Sequence, residues 1–213
     1  MSFIDAGGII RGYGNTGKAV LEKFIHYRDI EKVDYVFLTH FHQDHSAGIE
    51  PLSSSFPELA VLSLPYFPNF SCFPLSSRAQ LEIFPIQGKK ENEQALVFRL
   101  TLPHLRILIC GDVEEEGIRY LMGWGEENLK AEVVILPHHG KYVSNMAELL
   151  SLCNCEVAVI SCGENSYGHP SPETIKLLAD LNLPYFITQE DGAICFRPTG
   201  KSWEVKRFGK GRI

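Results

Sequence analysis

A chain of 213 residues, of which 45% are apolar and 22% charged, is long enough to form one sizeable core and has the composition of an ordinary globular protein. Its net charge of −6 argues against broad, non-specific binding of nucleic acid, although a phosphate substrate stays possible where bound divalent cations make a site positive. No apolar run approaches the roughly 20 residues that span a bilayer, and the first residues lack the basic and apolar regions of a secretory signal. We therefore treat residues 1–213 as a single domain without a transmembrane segment.

Hydrophobic periodicity predicts strands and helices mixed along the chain, which is typical of an α/β fold. The first strand contains Phe3-Ile4, and a helix is predicted over about Lys18–Tyr27. The other regular elements are, in chain order, strands at Tyr35–Leu38, Val61–Leu64, Leu96–Leu102 and Arg106–Cys110, a helix over Glu114–Met122, a strand at Val133–Leu136, a helix around Met146–Cys153, a strand at Val157–Ser161 and a helix that begins at Ser171-Pro172.

Two stretches carry less regular signals. The Pro-, Ser- and Phe-rich stretch from about Pro65 to Pro85 is predicted to be loop and edge strand. Tyr185–Thr188 and Ala193–Arg197 are predicted to form a hairpin around Asp191-Gly192, because Asp-Gly between two apolar runs is typical of a tight turn. Trp203 and Val205 alternate with charged residues in a final edge strand.

The six cysteines show no Cys-x-x-Cys spacing, and several lie in apolar, strand-like runs such as Ile109-Cys110. We interpret them as buried, reduced thiols, which are typical of a cytosolic protein. We therefore predict a cytoplasmic location.

A cluster of polar residues follows the strand Tyr35–Leu38 and has the spacing His-x-His-x-Asp-His, formed by His40, His42, Asp44 and His45. Burying such groups without partners would cost roughly 2–7 kcal/mol each, so packing alone does not explain them. In an extended segment His40 and His42 point the same way, whereas Asp44 and His45 turn away and can hold a second ion. The pattern therefore predicts a metal site; the alternative is a polar loop after a buried strand.

Ionisable residues also follow three later strands. Asp112 comes after the strand Arg106–Cys110, His138 and His139 come after Val133–Leu136, and His169 comes after Val157–Ser161. Each alone would be a helix cap or a loop residue, but ligands in α/β folds gather at the ends of strands. Together these residues favour one metal-dependent site.

These motifs resemble the metallo-β-lactamase superfamily, and in particular the metallo-hydrolase domain of ComEC-type competence (DNA-uptake) proteins. The likeness runs in order along essentially the whole chain and implies a four-layer αββα metallo-β-lactamase fold. It rests on Ile4-Asp5-Ala6-Gly7-Gly8, Leu38-Thr39-His40-Phe41-His42-Gln43-Asp44-His45, Ile109-Cys110-Gly111-Asp112, Leu136-Pro137-His138-His139-Gly140 and Asn165-Ser166-Tyr167-Gly168-His169-Pro170.

The resemblance implies two divalent ions, Zn²⁺ or Mn²⁺, and a role for each matching residue. His40 and His42 would bind the first ion, Asp44 and His45 the second, and Asp112 both. Either His138 or His139 would complete the second set, and the sequence does not decide which. Asp44 and His169 would be catalytic, Asp5 would brace the ligands, and the residues expected to contact substrate are Ser144, Asn165 and Tyr167.

The chain departs from the family pattern at two places. The further histidine that the superfamily often has before the bridging aspartate is absent, and the ComEC-type Asn and Ser correspond to Asn92 and Ala95. The first ion would then be bound by His40, His42, Asp112 and solvent. One or two strands that usually precede Ile4-Asp5 are also expected to be missing.

The predicted function is that of a dinuclear metal-dependent hydrolase of phosphodiesters, with single-stranded DNA as substrate and a competence membrane channel protein as partner. Such a partner would place the chain at the inner membrane as a peripheral protein. The basic residues Lys201, Lys206, Arg207, Lys210 and Arg212 fit a DNA contact or a solvated edge strand equally well. One alternative is a hydrolase of small phosphoesters or lactones. Another is a catalytically weak accessory module that binds DNA or a membrane protein.

Overall fold

A computed structural model describes residues 1–10, 14–88 and 94–209. The chain folds into two compact units, Met1–Pro68 and Asn69–Ile213, and each is described in turn. Among the described residues, no helix is long and apolar enough to cross a membrane. All six cysteines are unpaired thiols, and Cys110 and Cys153 are buried, as the sequence predicts for reduced core cysteines.

The first unit is built on a three-stranded parallel sheet. Helices pack on this sheet because its strands are apolar almost throughout and must be shielded from water. The elements of the unit are β1 (Ser2–Ile4), β2 (Ile9–Ile10), β3 (Gly14–Asn15), α1 (Thr16–Tyr27), β4 (Tyr35–Phe37), α2 (Gln43–Ser46), α3 (Ile49–Ser55) and β5 (Ala60–Leu62), followed by a 3₁₀ turn at Leu64–Tyr66. The sheet order is β1-β4-β5, and β2 pairs with β3 in a separate short ribbon. Leu21 and Ile25 of α1 and Leu52 of α3 pack on Val36 of the central strand.

The second unit contains a seven-stranded mixed sheet within its described residues. Its elements are β6 (Ser71–Ser76), β7 (Ala79–Gln87), β8 (Gln94–Leu102), β9 (Leu105–Ile109), α4 (Glu115–Met122), α5 (Glu126–Leu129), β10 (Val133–Ile135), α6 (Met146–Leu152), β11 (Val157–Ile160), α7 (Pro172–Asp180), β12 (Tyr185–Ile187), α8 (Thr188–Asp191), β13 (Ala193–Thr199) and β14 (Ser202–Phe208). The sheet order is β12-β11-β10-β9-β8-β7-β6.

Strand direction in this sheet changes at β9. Strands β6 to β9 form an antiparallel meander, whereas β9, β10, β11 and β12 run parallel and are joined by helical crossovers. Residues that follow β9, β10 and β11 therefore meet at one edge of the sheet. The short runs Val133–Ile135 and Val157–Ile160 are apolar throughout because parallel strands are covered on both faces.

Side-chain alternation divides the core of the second unit between the two faces of the sheet. Val134 and Ala158 lie in the cluster that contains the apolar residues of α4, α6 and α7. Val133 and Val157 point the other way and pack with Phe196 and Trp203 of the β13–β14 hairpin. A period of two thus places successive residues in different clusters.

Two predicted elements were wrong. The stretch from Pro65 to Pro85 does contain an edge strand, β6, but residues 79–87 form β7, an interior strand that is buried from Leu81 to Ile86. The predicted hairpin around Asp191-Gly192 is absent in the described chain, since β12 pairs in parallel with β11 and β13 pairs with β14. Gly192 instead has a φ of 74°, and a Cβ there would overlap the carbonyl of Phe208, so the turn needs glycine for a close approach of β14.

A buried ion pair joins β7 to β8. Glu82 and Arg99 are cross-strand neighbours and are only 8% and 7% exposed. The Arg99 Nε donates to Glu82 Oε2 at 2.6 Å, and Thr101 Oγ1 donates to the same oxygen at 2.8 Å. Burial by itself raises the pKa of Glu82, but the hydrogen bonds from Arg99 and Thr101 outweigh it and hold the pKa below its usual value.

We expect Glu82→Gln to lower the free energy of unfolding by about 3–5 kcal/mol near pH 7, because it leaves the Arg99 charge buried without its counter-ion. A depressed carboxylate pKa stabilises the fold above the unfolded-state value and loses that effect as pH falls. The difference between wild type and variant should therefore shrink from about pH 6 to about pH 3 in urea titrations. Asp180→Asn, which neutralises the exposed Lys176–Asp180 pair, is the control and should cause no measurable change. A difference that stays constant with pH would contradict this assignment.

Candidate functional site

Polar residues of the first unit gather at the carboxyl end of the parallel strands β1 and β4. The register pairs Ile4 with Phe37, so the residues that follow, Asp5 and Thr39, come to the same edge. Asp5 has a φ of 59°, a left-handed conformation that Asp and Asn tolerate better than most residues, and its amide donates to the Phe37 carbonyl. The strand thus ends by turning a carboxylate towards the histidine motif.

The Asp5 carboxylate holds two residues of that motif. Its Oδ1 accepts a hydrogen bond from the Thr39 amide at 2.8 Å, and the Thr39 hydroxyl lies 2.9 Å from Oδ2. Its Oδ2 lies 2.7 Å from His45 Nδ1. A carboxylate at Nδ1 places the ring proton there, so Nε2 becomes the nitrogen that carries the lone pair. Sequence reasoning missed Thr39, although its position directly before His40 is a signal for such a role.

The three histidines of the motif form one compact group. His40 and His45 are buried, at 4% and 7% exposure, and His42 is half-buried. The His40 ring centroid lies 4.5 Å from that of His42 and 4.2 Å from that of His45. The ligand atoms of His40 and His42 lie within 4.8 Å of each other, as do those of Asp44 and His45. Three imidazoles packed this closely form a donor set of the kind that binds metals.

Asp44 is held against a glycine. It lies on α2, and its side chain is 53% exposed. A Cβ added to Gly8 would lie 2.6 Å from Asp44 Cα, closer than real Cβ contacts allow. The Ala6 amide also donates to the His45 carbonyl at 2.7 Å. The segment after β1 therefore packs directly on the short helix that carries Asp44 and His45.

In the second unit, the ionisable residues lie at the carboxyl ends of β9 and β10. Asp112 is 3% exposed. His138 and His139 have φ values of 47° and 54°, which are uncommon for residues other than glycine. The His138 amide donates to the Gly111 carbonyl at 2.9 Å, and Gly140, with φ 81°, packs against Ile160 and Pro170. These contacts hold the pair of histidines in a conformation that a flexible loop would seldom adopt.

The structure distinguishes the two adjacent histidines. His139 Nδ1 lies 2.7 Å from the Ser161 carbonyl oxygen, which only accepts, so the proton is on Nδ1 and the lone pair on Nε2. That Nε2 lies 3.7 Å from Asp112 Oδ1. His138 Nδ1 instead lies 3.2 Å from Glu114 Oε1 without hydrogen-bond geometry. The geometry therefore favours His139 as the ligand beside Asp112.

Glu114 and Lys141 were not identified from the sequence. The Lys141 ammonium lies 2.6 Å from Glu114 Oε1, the same oxygen that faces His138. Burial lowers the pKa of His138, and although Asp112 and Glu114 raise it, Lys141 and His139 lower it further. The ring of His138 is therefore neutral at physiological pH. The sequence offered one signal for these two residues: Glu114 lies two positions after Asp112, and Lys141 directly follows the His-His-Gly motif.

The loop with the Asn-x-Tyr-Gly-His-Pro pattern is organised by Asn165. Its Nδ2 donates to the carbonyls of Gly163 and His169 at 2.9 and 2.7 Å. Its Oδ1 accepts from the amides of Tyr167 and His169, both at 3.1 Å. All of the hydrogen-bonding groups of the Asn165 amide thus serve the loop, although the sequence predicted a contact with substrate.

His169 and Ser144 also have partners in the second unit. The His169 ring lies 5.6 Å from that of His138. Burial lowers the pKa of His169, and a positive charge on His138 or His139 would lower it further. The Ser144 hydroxyl donates to Glu115 Oε1 at 2.6 Å, and the Asn145 amide group donates to the Glu115 carbonyl. The predicted contact of Ser144 with substrate would require this hydrogen bond to be exchanged.

Of the two residues that correspond to the Asn and Ser of the ComEC-type pattern, the structure describes only one. Asn92 lies outside the described residues, whereas Ala95 is fully buried on β8. Of the basic residues near the end of the chain, Lys210 and Arg212 also lie outside the described residues. Arg207 donates to Asp191 at 2.9 Å, and Lys206 lies 3.6 Å from Glu204. These pairs favour the interpretation of β14 as a solvated edge strand.

The donor sets of both units suit divalent metal ions. The first unit supplies three imidazoles and a carboxylate, and in the second the ligand atoms of Asp112 and His139 lie within 4.8 Å of each other. Mixed imidazole and carboxylate ligands without thiolate fit Zn²⁺ or Mn²⁺. The hydrogen bonds at Nδ1 of His45 and His139 are those that ligand histidines usually make.

Comparison with known proteins points in the same direction. Residues 12–82 match the family model described as the metallo-beta-lactamase superfamily. ComE operon protein 3 of Bacillus subtilis (strain 168) is 25% identical over 209 residues, which cover 86% of this chain and 27% of that protein. Competence protein ComA of Neisseria gonorrhoeae is 24% identical over 176 residues, which cover 78% of this chain and 26% of that protein. The chain thus spans about a quarter of the length of these curated relatives.

A solved structure supports the fold. The metallo-beta-lactamase fold protein YhfI from Bacillus subtilis superposes with a TM-score of 0.57 at 13% identity. The match covers 96% of this chain and 86% of that one. At this identity, the likeness concerns the course of the backbone and not the chemistry of the site.

We expect Asp5→Asn to weaken binding of Zn²⁺ or Mn²⁺ by about 10–100-fold, as loss of a carboxylate behind a ligand histidine does in other metal sites. The amide can donate to His45 Nδ1 and so favours the tautomer with its proton on Nε2, as in a related triad substitution. Asparagine also tolerates the left-handed backbone of Asp5, so the variant should fold. Titration calorimetry measures the effect, and Asp29→Asn, at another left-handed and exposed aspartate, is the control. Unchanged affinity would contradict the role of Asp5.

We expect His139→Asn to remove one bound ion per chain, whereas His138→Asn should retain both. Both positions have a positive φ that asparagine tolerates, and its amide is a poor replacement for imidazole as a metal ligand. Metal content after dialysis, measured by mass spectrometry, distinguishes the variants. Loss of the ion in His138→Asn, with retention in His139→Asn, would reverse the assignment.

Proposed function

We propose that the chain is a dinuclear metal-dependent hydrolase that cleaves phosphodiesters, since residues 12–82 match the model of the metallo-β-lactamase superfamily and the chain has the fold that its motifs predict. One observation carries the proposal. Two histidines, His45 and His139, are held at Nδ1 by an acceptor, so each presents Nε2 as a ligand nitrogen. Histidines that served only in packing would not need to share the tautomer with its proton on Nδ1.

The proposed ligands follow from the motifs and from these tautomers. His40 and His42 would bind one ion, Asp44, His45 and His139 the other, and Asp112 both. Zn²⁺ or Mn²⁺ bound there would supply Lewis acidity, lower the pKa of water and offset negative charge on a phosphate.

The chain itself would then orient and protonate the reacting groups. The Asp44 carboxylate, which is half-exposed, would accept a hydrogen bond from the attacking water and align it. The neutral ring of His169 would donate a hydrogen bond to a non-bridging phosphate oxygen or to the leaving group. Neutral imidazole suits this role because it donates without requiring a proton from solvent at neutral pH.

Likeness to competence proteins supports DNA as the substrate. ComE operon protein 3 and competence protein ComA match most of this chain. The resemblance to ComEC-type competence proteins implies degradation of the DNA strand that is not imported. We propose single-stranded DNA as the substrate and a competence membrane channel protein as the partner. The chain would act in the cytoplasm, or at the inner membrane through that partner.

A small phosphoester or lactone is the second candidate substrate. The net charge of −6 favours a small molecule over a long polyanion. The ion pairs of Lys206 and Arg207 with carboxylates also reduce the positive surface that DNA would contact. The two candidates share the same proposed metal centre and differ only in what reaches it.

Cleavage of three substrates by the metal-loaded chain tests the proposal: single-stranded DNA, bis-p-nitrophenyl phosphate and a simple lactone. We expect DNA and the phosphodiester to be cleaved, and His42→Ala and Asp112→Ala to reduce kcat by at least about 100-fold because they remove proposed ligands. His26→Ala, an exposed histidine on α1, is the control and should retain full activity.

The pattern of turnover separates the candidates. Cleavage of the small ester or the lactone without cleavage of DNA would support the second candidate. No metal uptake and no turnover would contradict both, and would favour an accessory module that binds DNA or a membrane protein.

A further inference from the structure

Tyr167 is the most exposed large aromatic residue among those the structure describes. Its side chain is 82% exposed, whereas aromatic side chains normally bury most of their area. It lies two residues before His169, the residue proposed to contact the phosphate. Exposure of an aromatic ring in this loop is unfavourable in the free protein, so a ligand that covers the ring would explain it.

The ring is nevertheless held in place. The Asn165 side chain accepts from the Tyr167 amide and bonds both the amide and the carbonyl of His169, so it closes the loop around itself. The Tyr167 ring lies nearly parallel to that of His169, with an interplanar angle of 20° and centroids 6.4 Å apart. The loop therefore presents one face of a flat ring to solvent at low entropic cost on binding.

A flat, exposed and pre-positioned aromatic ring is suited to stacking on another flat ring. Base–aromatic stacking is the usual contact by which proteins bind single-stranded nucleic acid, and it needs no base sequence because every base has a π-face. A simple alkyl phosphate or a small lactone offers no such face. The exposed ring would therefore bind a nucleic acid strand better than it binds a simple alkyl phosphate or a lactone.

We propose that Tyr167 stacks on a nucleobase adjacent to the scissile phosphodiester, with Asn165 as the residue that positions it. The inference rests on the proposed function for the reaction and for the DNA substrate, and it adds the contact that would recognise that substrate: an unpaired base beside the cleaved bond. Double-stranded DNA, whose bases are already stacked, would bind this loop less well.

Fluorescence anisotropy with two labelled strands of equal length and charge tests the proposal: an oligothymidylate and an abasic oligomer. The divalent ions are removed with a chelator, so that binding is measured without turnover. We expect wild type to prefer the oligothymidylate. Tyr167→Ala should weaken that complex by about tenfold or more, the size of one stacking contact, and leave the abasic complex unchanged.

Two further variants control for the ring and for the surface. Tyr167→Phe keeps the π-face and should bind like wild type, which shows that the hydroxyl is not the determinant. Tyr120→Ala removes another exposed tyrosine, 51% exposed on α4, and should have no effect on either strand. Thermal unfolding of each variant should match wild type because both tyrosines are largely solvated.

Asn165 is tested through its dependence on Tyr167. Asn165→Ala should weaken binding of the oligothymidylate, but should cost less in the Tyr167→Ala background, because its effect passes through the ring that is then missing. A residue with a merely structural role would weaken both strands equally in either background. Equal losses of that kind would overturn the positioning role.

The outcomes separate this inference from the proposed function. Absence of a preference for the oligothymidylate in wild type, or equal losses on both strands in Tyr167→Ala, would overturn the stacking role even if the phosphodiester is hydrolysed. A Tyr167-dependent preference without hydrolysis of any phosphodiester would sustain stacking and overturn the proposed reaction.

Discussion

The metal-binding capacity of the chain depends on one kind of hydrogen bond, the one that fixes a histidine tautomer. His45 reaches the Asp5 carboxylate and His139 reaches the Ser161 carbonyl, each through Nδ1. Without an acceptor at Nδ1, a neutral imidazole can carry its proton on either nitrogen, and the tautomer protonated on Nε2 cannot bind a metal through Nε2. Both acceptors stand at the carboxyl ends of parallel strands, Asp5 after β1 and Ser161 after β11. The position of these strand ends thus determines the chemistry of the rings.

Hydrogen bonds and close packing hold those strand ends in place and maintain a strained backbone there. His138 and His139 adopt positive φ angles, which the hydrogen bond from the His138 amide to Gly111 and the packing of Gly140 against Ile160 support. In the first unit, Gly8 allows the chain to approach the backbone of Asp44. In the seven-stranded sheet of the second unit, the buried ion pair of Glu82 and Arg99 joins β7 to β8. That unit therefore buries charged groups at the ion pair as well as at the candidate site.

Local pattern predicted most of the fold because most elements carry their own signal. Apolar runs identified β4, β10 and β11, and Ser171-Pro172 identified the start of α7. The failures concern pairing. β7 contains Glu82 and Pro85, which read as exposed, yet it is an interior strand because Arg99 satisfies the carboxylate. Asp191-Gly192 is typical of a hairpin turn, yet β12 pairs with β11, since an apolar strand is more stable at the edge of a large sheet than in an isolated two-stranded ribbon.

The sequence by itself determined which residue types are available for metal binding and the order in which strands deliver them, because the spacing of His40, His42, Asp44 and His45 and the residues after later strands can be read locally. Only the tertiary structure gives a reason to prefer His139 over His138 as the proposed ligand, assigns Asn165 to its own loop and reveals Glu114, Lys141 and Thr39 as partners. The reason is that the tautomer of a histidine, and the partner of a polar side chain, depend on groups that can lie far away in the sequence. Ser161, for example, reaches His139 across 22 positions, and no local pattern specifies that contact.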